Sequence, residues 1–264
     1  MKYTDREIQF LINNWNTLPK SEIEKNVQHS WSSISDKANK LGLKRSIDIR
    51  SEKLKPLIDI ENPLNHYWWG FILADGHISA KGELTIQLAD KDQSHLEKIS
   101  KIVNKNIFKV KNNMSKVTCM DKYNANILCK ILGINPEKPK TYNPPTITEY
   151  MKNPAIAMSI LIGIIDGDGC VSYRKTLKGR SFQHINLQIH KTWEVFLSDL
   201  LLIINNNYNL STSQRVFTRK YDNRESEIYQ LYIYSKASYD ELINHINKNN
   251  LPVMNRKWQN EKSY

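Results

Sequence analysis

The chain is poor in the residues that build metal and disulfide frameworks. Its three cysteines, Cys119, Cys129 and Cys170, have no CxxC spacing, which excludes a zinc ribbon and a disulfide scaffold and points to a reducing compartment. Its seven histidines form no HxxxH pair and no Cys/His cluster, so a zinc-dependent nuclease site would have no ligands. Long apolar runs are missing too. The most apolar stretch, Ala155 to Ile165, is far shorter than the ~20 residues a bilayer-spanning helix needs, and the opening MKYTDREIQF lacks the apolar core of a signal peptide. Acidic residues fall short of basic ones, 27 against 38, which leaves a net charge of +11. An excess of that size calls for a polyanionic partner, nucleic acid ahead of an acidic membrane surface. The rest is ordinary globular material: 264 residues, 40% hydrophobic and 25% charged, enough for one large or two modest domains with a small appendage.

Residues 1–45 read as a unit of their own. Thr4-Asp5-Arg6-Glu7 is a capping box, in which the Thr and Glu side chains satisfy orphan amides at a helix start. Ile8, Leu11, Ile12 and Trp15 come next at helical spacing and predict one inward face. Leu18-Pro19-Lys20 breaks the chain, and Ser21 is placed to cap a short second helix bearing Ile23 and Val27. A third helix is predicted from about Ser30 to Leu41, with Trp31, Ile34, Ala38 and Leu41 inward and Gly42 at its C-terminal cap. Three short helices with a small core, the last polar on its outer face, fit a helix-turn-helix that turns Ser32, Ser33, Lys37 and Lys40 toward DNA. Residues 46–61 then read as a basic linker with few core positions.

From residue 62 the chain repeats itself. Asn62-Pro63 opens a helix that ends WWGFILADG at 68–76, and Asn153-Pro154 opens another that ends LIGIIDGDG at 161–169. An Asn cap followed by Pro at the first helical position is a strong start signal. Gly70 and Gly163 stand five residues before Asp75 and Asp168. The segments downstream of each Asp-Gly match as well. In the first half two strand-like runs span His77 to Leu88, a helix Gln93 to Val103, two strands Phe108 to Cys119 and a helix Asn124 to Leu132. In the second, strands are predicted at Cys170 to Arg174 and Phe182 to His190, a helix at Trp193 to Asn205, strands at Ser213 to Lys220 and Glu227 to Tyr234, and a helix at Tyr239 to Asn247. Each half is therefore α-β-β-α-β-β-α, over 62–148 and 149–264, and the fold class is α+β.

Chemistry enters at the two Asp-Gly ends. A carboxylate at a helix C-terminus meets the negative end of the dipole and costs about 0.3–1 kcal/mol where Lys or Arg would gain it. One such end is a routine turn; recurrence in register argues for more. Side by side, the two helices would bring both carboxylates together, and a divalent cation with hard oxygen ligands, Mg²⁺, is the natural compensation. Mid-helix glycine costs about 1 kcal/mol, which close approach of the two backbones at Gly70 and Gly163 would explain.

These paired segments resemble the motifs of the LAGLIDADG homing endonucleases in their single-chain, two-repeat form, over about residues 62–260. LIGIIDGDG is the nearer match and WWGFILADG the looser one. The resemblance implies two motif helices at a pseudo-two-fold interface, under two four-stranded antiparallel sheets that form a saddle on duplex DNA. It implies catalytic divalent metal on the last acidic residue of each motif, Asp75 and Asp168. It also implies a double-strand break across the minor groove with 3′ overhangs, and a basic residue near each scissile phosphate. Lys140 (or Lys138) and Lys257 stand after the last helix of each repeat and resemble those cations. At the position where the family often carries an earlier aspartate, this chain has Leu73 in one repeat and Asp166 in the other, which hints at unequal half-sites.

The alternating polar positions of the strands supply candidate base readers: Thr85, Gln87, Lys109, Lys111, Asn186, Gln188, His190, Arg215, Arg219, Gln230 and Tyr232. The expected protein is a monomeric, Mg²⁺-dependent DNA endonuclease of a mobile element, acting on a long asymmetric duplex, with the helix-turn-helix lengthening its footprint. A catalytically silent DNA-binding regulator on the same scaffold and an intron RNA-splicing maturase are the alternatives, and retention of both terminal aspartates favours the endonuclease over the regulator. No splicing segments flank the repeats, so a free-standing or intron-encoded protein is expected, in the cytoplasm or an organellar matrix.

Overall fold

The computed structural model describes residues 3–45, 52–140, 143–175, 181–221 and 224–258. Three N-terminal helices, α1 (Asp5–Asn14), α2 (Lys20–Asn26) and α3 (Trp31–Lys40), precede two runs of one element order. The first is α4 (Pro63–Asp75), β1 (Gly76–Ile78), β2 (Glu83–Ala89), α5 (Gln93–Ile102), β3 (Phe108–Val110), β4 (Met114–Met120) and α6 (Lys122–Leu132). The second is α7 (Pro154–Asp168), β5 (Gly169–Lys175), β6 (Ser181–His190), α8 (Glu194–Ile204), β7 (Thr212–Tyr221), β8 (Arg224–Ile233) and α9 (Lys236–Asn249), closed by a short α10 (Asn255–Trp258). Each run contributes one antiparallel four-stranded sheet, ordered β1-β2-β4-β3 and β5-β6-β8-β7, so strand order repeats along with element order.

The body is organised by α4 and α7. Asn62 and Asn153 cap them through their side-chain oxygens, each followed by Pro. Asn65 to Leu73 and Ala157 to Asp166 are buried without a break, because a helix that is apolar all round must be covered all round. The two helices pack against each other at Gly70 and Gly163. A methyl at Gly70 would overlap the carbonyl oxygen of Ile160, and one at Gly163 would overlap that of Tyr67. Neither helix ends in a left-handed turn. Gly76 and Gly169 are extended, with φ near −84° and −89°, and lead straight into β1 and β5. They are glycines because a Cβ would lie 2.7 Å from the carbonyl oxygen of Ile72 or Ile165. The sheets close over the helices with Leu84, Ile86, Leu88, Ile185, Leu187 and Leu231 turned into one continuous core.

The N-terminal helices have a separate small core of Leu11, Trp15, Ile23, Val27, Ile34 and Ala38. Several expectations do not hold. Ile12 is 46% exposed; it sits a helical step off the Leu11–Trp15 stripe, and Phe10 packs partly against the core instead. Ser21 does not cap α2, which begins after Pro19 with no side-chain cap; its hydroxyl donates to the carboxylate of Glu52. The stretch 46–61 is more than a linker. Its first residues, 46–51, lie outside the described ones, but Leu54 and Leu57 are fully buried in the core of the body. The Leu54 amide donates to Asp121 at 2.9 Å and the Leu57 carbonyl accepts from Trp69 Nε1 at 2.8 Å. Asp121 also caps α6, which therefore starts at Lys122 and not at Asn124.

Candidate active site

The last carbonyls of a helix have no intrahelical donor and carry the negative end of its dipole. At α4 and α7 two such ends abut, each bearing an aspartate. A Cβ on Gly167 would collide with Ala74 and stand 3.4 Å from the carboxyl carbon of Asp75, so small residues between the aspartates are what bring the ends together. One lysine answers each end. Lys140 Nζ donates to the carbonyls of Ile72 (3.1 Å), Leu73 (2.6 Å) and Ala74 (3.2 Å) and also lies against that of Gly76. Lys257 Nζ does the same for Ile165 (3.0 Å), Gly167 (3.4 Å) and Gly169 (2.6 Å), and for the carbonyl of Asp166. The two sets correspond position by position. Lys138 is exposed and outside this arrangement, so of the two neighbouring lysines it is Lys140 that enters the site.

Burial and the nearby carboxylate of Asp168 push Asp75 up to about 6, against the pull of Lys257 and Lys140. Asp168 reaches the surface but is also raised, by partial loss of hydration, with Lys140 and then Lys257 opposing. Burial lowers Lys140 to about 8, with Asp168 and then Asp75 holding its charge. Lys257 is lowered for the same reason, with Asp166 and Asp75 opposing. The pairing thus crosses the pseudo-two-fold: Lys140 feels the aspartate of the other half first, and Asp75 feels Lys257 more than Lys140. Two neighbouring carboxylates, both raised by loss of hydration, offer hard oxygen ligands of the kind a divalent cation such as Mg²⁺ takes. Among the described residues no group of three or more His, Cys, Asp or Glu is placed to hold a metal ion.

Around each lysine lie partners that sequence reasoning missed. Trp193 Nε1 donates to the carbonyl of Lys140 at 3.2 Å. Arg256 beside Lys257 makes a two-point ion pair with Asp92, one contact at 2.9 Å. Asp166, fully buried, accepts from Tyr67, Met254 and Trp258. The only sequence signal for any of these was the mismatch of Asp166 with Leu73; the others are contacts between distant segments.

The sheets carry polar outer faces. In the second sheet, register puts Asn186, Gln188, His190, Arg215, Arg219, Gln230 and Tyr232 all on the face away from the core. Their side chains are mutually ordered. Arg215 Nε donates to Gln230 (2.6 Å), Gln230 donates to Asn186 (2.8 Å) and Arg219 donates to Gln188 (2.6 Å), while Arg215 lies over the rings of Phe217 and Tyr232. In the first sheet Thr85 and Gln87 are on the outer face, opposite Thr118 and Lys116. Lys109 is not. It pairs with Ser115, whose side chain is buried, and its ammonium binds Asp90 at 2.9 Å and Gln93 at 2.7 Å; Phe108, 52% exposed, takes the outer position. Lys111 is exposed in the turn between β3 and β4. On α3, Ser32 and Lys40 are exposed, whereas Ser33 is tied to the Tyr3 hydroxyl at 3.0 Å and Lys37 lies over the Tyr3 ring. No helix of the described residues is long and apolar enough to cross a membrane.

No protein-family model matches the chain, and no curated protein matches it. Solved structures do. The homing endonuclease I-WcaI bound to its DNA recognition sequence is 16% identical over 85% of this chain and 98% of its own, with a TM-score of 0.48. The LAGLIDADG meganuclease I-AabMI bound to uncleaved DNA is 17% identical over 75% and 87%, with a TM-score of 0.46. The LAGLIDADG homing endonuclease I-GzeII in complex with its DNA target is 13% identical over 72% and 84%, also with a TM-score of 0.46. These likenesses are distant, and the chemistry assigned to the site rests on this chain's own residues.

Proposed function

We propose that this protein is a site-specific DNA endonuclease of the LAGLIDADG homing type, making a double-strand break by Mg²⁺-dependent phosphodiester hydrolysis. The observation that carries this reading is a duplicated set at two abutting helix ends: the α4 end bears Asp75 and is bound by Lys140, the α7 end bears Asp168 and is bound by Lys257, and each lysine also acts on the aspartate of the other end. A duplex has two strands to cut, and the molecule holds two equivalent sets of hydrolytic groups.

Each residue has a task in this mechanism. Asp75 and Asp168 would hold the divalent cations, whose chemistry would be polarisation of the scissile phosphate and activation of water. Lys140 and Lys257, already pinned by helix carbonyls, point fixed positive charge at the phosphate and stabilise charge that develops on its oxygens. The outer sheet faces read base edges, with Arg215, Arg219, Asn186 and Gln188 able to make paired contacts in the major groove, and the +11 net charge supplies the phosphate attraction. Residues 1–45 extend the footprint as a helix-turn-helix, with Ser32 and Lys40 outward.

Incubating the protein with a randomised-site duplex library and Mg²⁺, then sequencing the ends, tests the reading. A single long asymmetric site with a fixed stagger between strands is expected, shortened when residues 1–45 are removed. Intact DNA throughout would refute it.

A further inference from the structure

The two lysine arms are held unequally, and the difference centres on one residue that the hydrolysis itself does not use. Lys257 sits on the segment 252–258, which crosses to the first half of the molecule. There Lys98 Nζ donates to the carbonyls of Pro252 (3.2 Å) and Val253 (2.8 Å), and Asp92 grips Arg256. The same segment is tied to α7 by Asp166. Its Oδ2 accepts the Met254 amide at 2.8 Å and the Tyr67 hydroxyl at 2.7 Å, and its Oδ1 accepts Trp258 Nε1 at 2.6 Å. Tyr67 is itself held by His95 Nε2 at 2.9 Å. Because Tyr67 spends its proton on Asp166, His95 must donate to the Tyr67 oxygen, so a line of donors runs His95 to Tyr67 to Asp166 through the core.

Among the described residues, the Lys140 arm of the first half has no such hub. Leu73 occupies the equivalent position and is buried without a polar contact to make. Lys140 receives one cross-half hydrogen bond, from Trp193 to its carbonyl. Asp92 and Trp193 end equivalent short turns, at 90–92 and 191–193, so each half does reach across to the other's arm; among the described residues, the second arm alone has a buried carboxylate behind it.

We infer that Asp166 is a positioning residue that sets Lys257, and that losing it disables one strand's cleavage and spares the other. The inference deepens the endonuclease reading and rests on it. Asp166 accepts three donors and donates nothing, so Asn in its place keeps the volume but turns an N–H₂ group toward at least one of those donors. Met254 and Trp258, which bracket Lys257, then lose their anchor, while Lys140 and its partners are untouched.

Two measurements on Asp166→Asn test this together. Strand-resolved cleavage of end-labelled duplex in Mg²⁺ should show one strand slowed about 30-fold or more, the other within about 2-fold, and nicked DNA accumulating. Amine labelling of the folded protein, read by mass spectrometry, should show Lys257 about 10-fold more reactive and Lys140 unchanged. Trp258→Phe keeps the aromatic packing on Tyr239 and removes one donor, so it should shift both readings in the same direction by a smaller factor. Equal slowing of both strands, or Lys257 labelling no different from the wild type in both variants, would overturn the inference. Absence of cleavage by the wild type would overturn the endonuclease reading, and the labelling arm would still decide whether Asp166 sets Lys257.

Discussion

The two halves share an active end and differ in nearly everything around it. In the first half β1 and β3 have three residues each; in the second, β5 has seven and β7 has ten. The first sheet offers Thr85, Gln87, Lys116 and Thr118 on its outer face. The second offers an ordered array of Arg215, Arg219, Gln188 and Asn186, with Gln230, 1% exposed, buried beneath Arg215 and Asn186 as their shared partner and not itself presented for reading. Beneath them, Asp75 and Asp168, with Lys140 and Lys257, are arranged alike. Under the proposed function this contrast is expected: hydrolysis would ask the same of both strands of a duplex and match the reacting groups, whereas recognition of an asymmetric site would ask different things of each half.

The largest effects should fall on the matched parts. Lys140→Met and Lys257→Met should each slow cleavage of one strand about 100-fold, on opposite strands, with DNA affinity changed less than about 3-fold. Strand-resolved kinetics measure this, and loss of both strands in either variant would show that the lysines do not divide the duplex between them. A smaller effect is expected from the unmatched faces. Arg215→Ala should weaken binding of the cognate site about 10-fold. Lys109→Ala, which removes an exposed ion pair with Asp90 and a hydrogen bond to Gln93 on the other side of its sheet, should stay within about 2-fold. Titration of labelled DNA at fixed salt separates the two, and equal losses would break the assignment of faces.

The smallest effect is one of stability. A carboxylate raised in the folded state from its ordinary 3.8 to about 6 costs stability at pH above 6, and that cost disappears as pH falls below 3.8. Without metal, Asp75→Asn should therefore stabilise the protein by about 1–2 kcal/mol near pH 7.5, allowing for partial hydration of the site. The gain should fade toward zero by about pH 4. Urea unfolding in chelator across that range checks the sign, and a destabilised variant at pH 7.5 would mean that Asp75 is not under repulsion.

Much of this was legible in the sequence because its signals are local. Asn-Pro starts, apolar helices, recurring Asp-Gly ends and alternating strands each depend on neighbours a few residues apart, and they located both motif helices, the element order and the glycine contacts. Lys140 and Lys257 stand out by their place after the last helix of each repeat, although nothing local tells Lys138 from Lys140; reach to the carbonyls of Ile72 and Leu73 does. The failures are of two kinds. Lys109 lies on the face opposite to the expected one, because a three-residue strand gives too little alternation to fix its register. Ile12 faces outward for a related reason, since a stripe of four apolar residues is satisfied by several helix rotations. Leu54, Leu57, Asp92, Trp193 and Asp166 were missed or left without a role because each acts through a segment far away in the chain, and one sequence does not show which distant segments meet.

The central claim is that Asp75 and Asp168 together carry a metal-dependent double-strand cut. Asp75→Asn and Asp168→Asn, each assayed for cleavage of the selected duplex in Mg²⁺ alongside binding in Ca²⁺, test it most directly. The account predicts no double-strand product from either variant, with affinity for the site within about 3-fold of the wild type. Normal cutting by either variant would contradict it.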